Sequence, residues 1–247
     1  FVRRSQIADF GVRYFTPAEE IPLAGHPTIA TTFALIETGR LQLRGDYTRI
    51  TLELQVGPIP VEIFAHAGKV QRIVMSQKPP QFLAQYEAAE VLPVFGLAAE
   101  EALPTVPIQT VSTGTPQLMI PLRSLAALQR AQLQSAEYDR FRARGDFFSP
   151  HLFCLQGFTA EGQTAARHFG TPPDTLEDPF TGSATGGMAA YLWHYGLIAQ
   201  PTFIAEQGHL MQRPGRAFVE VIGPREDIQT VKVGGSAVTV LRGELVL

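Results

Sequence analysis

The stretch Ala24-Gly25-His26-Pro27-Thr28, which runs into the apolar segment 29–36, has a counterpart far downstream. That counterpart is Glu177-Asp178-Pro179-Phe180-Thr181-Gly182-Ser183-Ala184-Thr185-Gly186, which runs into 188–193. Each places small residues at a helix start, where the first N–H groups have no partner within the helix. A helix opening of this kind presents several free donors and roughly half a positive charge, so it holds a carboxylate or a developing oxyanion. Two such openings facing one cleft would make an anion trap. Pro27 suits a first helical position, and Gly39 and Gly196 suit helix stops. Segments 27–37 and 184–195 are apolar or small almost all the way round. A helix without a polar face is buried on every side, which predicts that each runs through the middle of a β layer or barrel.

Working outward, superposing Gly25 on Gly182 also pairs Thr28 with Thr185 and Leu35 with Leu192. The match of small openings, apolar helices and flanking strands predicts two similar domains. Strand patterns occupy 10–16, 50–54, 61–65, 70–76 and 110–113, then 117–121, 152–158, 203–206, 217–222, 230–233 and 237–241. Segments 81–92 and 122–144 carry charged faces and read as outer, covering helices. Pro93, Pro104 and Pro107 mark an inter-domain stretch. The expectation is therefore an α+β chain of two pseudo-symmetric domains, each a mixed, barrel-like sheet around a central helix. Residues 1–107 form the first and 108–236 the second, with a last strand at 237–247 returning to the first. Residues 1–4 read like the end of a strand and Phe1 is not an initiator Met, so residues upstream are expected.

Composition narrows the function. At 247 residues with 45% hydrophobic content, the chain can bury one large core or two smaller ones. A net charge of −3 with no basic run argues against a nucleic-acid or anionic-membrane surface. One cysteine, Cys154, excludes an internal disulfide and a cysteine-based zinc site, and fits a reducing cytoplasm. Neither a signal peptide nor an 18-residue apolar run is present, so a soluble protein is expected. His66, His151, His168, His194 and His209 are scattered without metal-ligand spacing, and no metal site is expected. The run 182–187 matches neither Gly-x-Gly-x-x-Gly nor the Walker pattern, so no nucleotide cofactor is implied. Ser183 lies in Thr181-Gly182-Ser183-Ala184-Thr185, which is not the nucleophile elbow of a serine hydrolase.

Specific strings carry a family resemblance. Phe15-Thr16-Pro17-Ala18-Glu19-Glu20-Ile21-Pro22-Leu23-Ala24-Gly25-His26-Pro27 and Glu177-Asp178-Pro179-Phe180-Thr181-Gly182-Ser183-Ala184 resemble two signatures of the PhzF-like phenazine-biosynthesis isomerases. Weaker echoes are Val111-Ser112-Thr113-Gly114-Thr115-Pro116, Glu206-Gln207-Gly208 with Arg213-Pro214, and Val233-Gly234-Gly235-Ser236-Ala237-Val238. The resemblance spans essentially the whole chain. It implies the diaminopimelate-epimerase-like fold, a homodimer, and a cofactor-free isomerase that moves a proton on a small carboxylate-bearing substrate held between two domains. The related epimerases open each central helix with a cysteine. Neither opening here has one, which argues against a two-thiol racemase and leaves Cys154 as a small buried apolar residue.

The resemblance assigns catalytic or relay roles to Asp178 and His26, and substrate binding to Gly25, His26, Asp178, Gly182 and Ser183. The bland alternatives are a structural cap for His26 and a turn residue for Asp178. The family's glutamate base lies a few residues before a Phe-Val pair, here Phe1-Val2, so the matching position precedes the chain and little activity is expected of the chain as written. Glu20 is expected to be a structural hydrogen-bond partner, and is the best internal candidate for a base otherwise. Two other readings stay open: a catalytically silent binding or scaffold homologue, and an amino-acid racemase or epimerase that uses non-thiol groups.

Overall fold

The computed structural model describes residues 1–17, 19–170 and 176–244. Ala18 of the first signature and residues 245–247 of the expected last strand lie outside the described residues. The chain runs β1 (Val2–Arg3), β2 (Phe10–Val12), β3 (Tyr14–Phe15), β4 (Glu20–Ile21), α1 (Gly25–Glu37), β5 (Tyr47–Leu54), β6 (Gly57–His66) and β7 (Lys69–Ser76). It continues through β8 (Gln81–Tyr86), α2 (Ala88–Val91), β9 (Ile108–Ser112), β10 (Pro116–Pro121), α3 (Leu125–Arg130), α4 (Ser135–Arg142) and β11 (Ser149–Cys154). The rest is β12 (Thr164–Phe169), β13 (Glu177–Asp178), α5 (Gly182–His194), β14 (Thr202–Gln207), β15 (Gly215–Ile222) and β16 (Thr230–Gly235).

All strands but β3 and β4 join one mixed sheet, in the order β1-β2-β5-β6-β7-β16-β15-β14-β12-β11-β10-β9-β8, with β13 on β12. The period of two seen in the sequence is the reason. On β5, Thr48, Ile50, Leu52 and Leu54 point inward, and on β6 Ile59, Val61, Ile63 and Ala65 do the same. Of these, Ile50, Leu52, Leu54, Ile59, Val61 and Ile63 meet Val12, Leu23, Ile29, Ile73 and Met75 in one core. A second core packs Met188, Ala189, Tyr191 and Leu192 of α5 against Val111, Met119, Phe153, Val219 and Val231 of the later strands. The two halves are stitched by the antiparallel pairing of β7 with β16.

The helices differ in enclosure. Every residue of α5 from Gly182 to Leu192 is buried, because β9, β10, β15 and β16 curl around it. In α1, Gly25, Thr28, Ile29, Thr32 and Leu35 are buried against β7 and β16, while Ala30 and Ala34 face outward. An apolar sequence set the inward side of α1 but not how far the sheet wraps it.

Three sequence expectations are corrected. Segment 81–92 is not a covering helix: it is β8 followed by the single turn α2. Pairing with β9 and the bonds of Leu83 O from Gln109 and of Ala84 N to Asp146 give that backbone partners that outweigh its helical pattern. Segment 122–144 is split into α3 and α4, because the amides of Gln132 and Gln134 bond to the carbonyls of Phe95 and Val94 instead of continuing a helix. Residues 237–241 form no strand, and no regular element occurs through 244. β8 pairs with β9, and Val91, Leu92, Val94, Phe95 and Leu97 pack with residues 108–169, so 81–107 sit with the second half of the sheet. β12, which the sequence pattern did not reveal, is central to that half.

Candidate active site

The two helix openings meet. A Cβ built on Gly25 would stand 2.4 Å from the Cα and 2.7 Å from the carbonyl carbon of Gly182. A Cβ on Gly182 would likewise lie 2.9 Å from the Cα of Gly25. Only glycine lets the backbones approach this closely. Neither helix is capped by a side chain: Ala24 has none to offer, and Thr181 turns its hydroxyl away to donate to Asp178 Oδ2 at 2.5 Å. The first-turn amides of both helices thus have no side-chain cap.

The contact is braced from both halves of the sheet. Gln77, just past β7, donates through Nε2 to the Gly182 carbonyl at 2.8 Å and accepts from Thr113 Oγ1 at 2.5 Å. Its own carbonyl accepts from Thr230 Oγ1 at 2.7 Å. On the other side, Tyr14 donates to Thr28 Oγ1 at 3.0 Å, and Thr28 donates to the Ala24 carbonyl at 2.6 Å. These bonds fix both openings relative to the sheet.

A cleft of about 360 Å³ lies over this junction. Its walls include Gly25, His26, Asp178, Thr181, Gly182 and Ser183, so the five residues singled out from the sequence share one space. Phe15, Thr16, Pro17 and Ile21 around the β3–β4 hairpin close one side. Asp178 is the single carboxylate, and no lysine or arginine occurs, among the described residues that line it. A larger groove of about 990 Å³ lies on the other side of His26, against 213–217 and 233–238. It carries Arg213 and Arg216 and shares His26 and Gly182, but has neither Asp178 nor Ser183, so only the smaller cleft holds all five residues singled out from the sequence.

Asp178 is held at both its side chain and its backbone. Besides the Thr181 hydroxyl, its backbone carbonyl accepts from Gln207 Nε2 at 2.7 Å, while Gln207 Oε1 accepts from the Thr181 amide at 3.1 Å. The preceding Glu177 is gripped by Arg167 in a two-pronged pair at 2.9 and 2.8 Å. Arg167 also donates to the carbonyls of Leu128 and Ala131 at 3.2 and 2.6 Å. Glu20 plays no part in the cleft: Arg13 binds it at 2.9 and 2.6 Å and holds its carboxyl below the ordinary range. Cys154 is buried at the end of β11, and burial pushes its thiol up.

With this geometry, comparison with known proteins is decisive. The model of the phenazine biosynthesis-like family, PhzC/PhzF, matches residues 1–243. The chain belongs to that family. Trans-2,3-dihydro-3-hydroxyanthranilate isomerase of Pseudomonas fluorescens is 33% identical over 238 residues, 96% of this chain and 79% of its own. The uncharacterized isomerase YfhB of Bacillus subtilis is 33% identical over 223 residues, 90% of this chain and 75% of its own. The crystal structure of a PhzF-family phenazine biosynthesis protein from Bacillus anthracis superposes with a TM-score of 0.84 at 30% identity, covering 100% of this chain and 84% of that one. The fold is accordingly diaminopimelate-epimerase-like, and the protein is a PhzF-like isomerase.

Within this PhzF-like cleft, four buried polar residues were missed in the sequence. Gln117, Ser149 and His168 line the wall formed by β10, β11 and β12, and His151 stands behind them. Ser149 donates to Gln117 Oε1 at 2.7 Å and lies 2.8 Å from His168 Nε2, and the two Nδ1 atoms of His168 and His151 are 3.3 Å apart. Burial pushes His168 down to about 4, against an opposing pull from Asp178 and then Glu177. Burial, followed by repulsion from His168, pushes His151 far down as well. Both rings are therefore neutral near pH 7. Among the described residues no three His, Cys, Asp or Glu side chains group to hold an ion. The sequence pattern showed these histidines only as scattered residues. It missed their convergence, because β11 and β12 register His151 against His168, and β13 registers Asp178 against His168. No helix among the described residues is long and apolar enough to cross a membrane.

Proposed function

We propose that this isomerase moves a proton on a small carboxylate-bearing molecule bound in the 360 Å³ cleft, without a cofactor. The observation that carries the reading is the meeting of two uncapped helix openings at Gly25 and Gly182, beside Asp178 and His26. The substrate carboxylate takes the first-turn amides, including those of Gly182 and Ser183, and the Ser183 hydroxyl adds one more donor. A carboxylate base removes a proton from carbon, and the electron pair moves into the conjugated system. The negative charge that develops is stabilised by the same amides. The proton is then returned at another carbon, so the product is an isomer of the substrate. Asp178 and His26 serve as the proton-handling and orienting groups of the described residues, Asp178 because Thr181 and Gln207 lock its position.

The printed activity of the Pseudomonas fluorescens relative makes trans-2,3-dihydro-3-hydroxyanthranilate the first substrate to try. We read the cleft as lying between two domains whose boundary falls at 77–80, and the protein as a cytoplasmic homodimer. A screen of small aromatic and cyclic carboxylates, read by thermal shift, tests the site. A binder at a hundred times its dissociation constant adds about 2.7 kcal/mol of stability. That gain is expected to shrink in Asp178→Ala and His26→Ala; equal gains in both variants would move the pocket elsewhere. Turnover in deuterated water tests the reaction. Label at a carbon other than the one that lost hydrogen is expected, whereas inversion at a single carbon would replace the isomerase reading with an epimerase.

A further inference from the structure

The wall of the cleft formed by β10, β11 and β12 is built for a different group from the one the helices take. Gln117 and Ser149 are 2% exposed and His168 is 5% exposed, yet all three line the cleft. A serine hydroxyl has one proton, and Ser149 spends it on Gln117 Oε1. The proton in the 2.8 Å contact with His168 must then come from the ring, so His168 carries its hydrogen on Nε2. Its Nδ1 is left as an acceptor for His151 Nδ1–H, and His151 Nε2 is buried without a partner. The chain of bonds has one direction. It leaves a lone pair on Ser149 Oγ and the amide NH2 of Gln117 as the groups this wall offers to the cleft.

An acceptor beside a donor matches a hydroxyl or amino group, which both donates and accepts. It does not match a carboxylate, which only accepts and would sit on this wall without a cation, near Asp178. Resting on the reading of the helix openings as a carboxylate site, we propose that Ser149 and Gln117, oriented by His168, are the specificity-determining residues of the cleft. They receive an uncharged hydroxyl or amino group of a monocarboxylate and discriminate against dicarboxylates. His168 acts through Ser149 and is a positioning residue.

The test uses five probes by titration calorimetry against the full chain: benzoate, 3- and 4-hydroxybenzoate, isophthalate and terephthalate. At least one hydroxybenzoate is expected to bind about tenfold more tightly than benzoate, a gain typical of one buried hydrogen bond, and both dicarboxylates more weakly than benzoate. Ser149→Ala, nearly the same shape, is expected to bring hydroxybenzoate and benzoate within twofold while benzoate itself is unchanged. His168→Phe is expected to do the same. His168→Gln, whose amide nitrogen can stand where Nε2 stands, is expected to restore the preference, which a purely structural role for His168 would not produce. An unaltered hydroxyl preference in Ser149→Ala, no preference in the wild-type chain, or dicarboxylates binding best would overturn the inference while leaving the helix openings as the carboxylate site. Failure of every probe to bind the wild-type chain would remove that site, and the inference with it.

Discussion

Adding one methyl group at Gly25 tests the junction on which the site depends. In Gly25→Ala the new Cβ would lie 2.4, 2.7 and 2.9 Å from the Cα and carbonyl carbon of Gly182 and the amide nitrogen of Ser183. All three neighbours are backbone, so no side chain can swing away. Ordinary van der Waals contact begins near 3.4 Å, and the helix openings must separate by about 1 Å to reach it. Overpacking of this kind costs about 1–3 kcal/mol, against which alanine in a helix returns at most about 1 kcal/mol relative to glycine. The net loss of stability is therefore modest, at most about 3 kcal/mol. Binding is the sharper readout, because a displacement of about 1 Å in a positioned site costs on the order of a hundredfold. The assay is a pair of measurements, urea unfolding and calorimetric titration with the tightest carboxylate from the screen. Gly39→Ala is the control. It places a residue at φ +69° with no atom within 4 Å, so it is expected to lose about 1–2 kcal/mol of stability and no affinity. Affinity retained within threefold in Gly25→Ala would show that the two openings do not jointly hold the guest.

Three other outcomes are expected. His168 is held near 4 in the folded protein against 6.5 as its ordinary value, so the unfolded chain binds the extra proton as pH falls. Its contribution is nil above about pH 6.5 and becomes destabilising between 6.5 and 4, reaching about 3 kcal/mol. Urea midpoints across that window should fall less steeply in His168→Gln, and equal slopes would contradict the buried neutral ring. Gln77→Ala removes the side-chain donor from the Gly182 carbonyl, leaves the Thr113 hydroxyl without its acceptor, and is expected to cost about 1–3 kcal/mol by thermal unfolding; a loss under about 0.5 kcal/mol would mean the brace is idle. Arg167→Met leaves the half-buried Glu177 without its ion pair and is expected to cost about 1–2 kcal/mol and to loosen Asp178. Unchanged stability together with unchanged carboxylate affinity would refute that linkage.

The sequence by itself determined the parts whose signals are local. Apolar segments opened by Gly25 and Gly182 could only be packed helices, and alternation at 50–54, 61–65 and 217–222 could only be half-buried strands. The two signature strings fixed the family and drew attention to His26, Asp178 and Ser183. What tertiary structure decided was every relation that crosses strands or halves. Segment 81–86 became a strand because β9 and Asp146 supply partners that no local pattern encodes. Residues 132–134 left the helix because the turn at 94–95 binds their amides. The neutral wall of Gln117, Ser149 and His168 exists only through the registers of β10 with β11 and of β11 with β12. A shift of one residue in either would turn those side chains to the opposite face of the sheet. Residue types and spacing along a strand are written in the chain, but register between strands is set by the summed packing of the whole sheet.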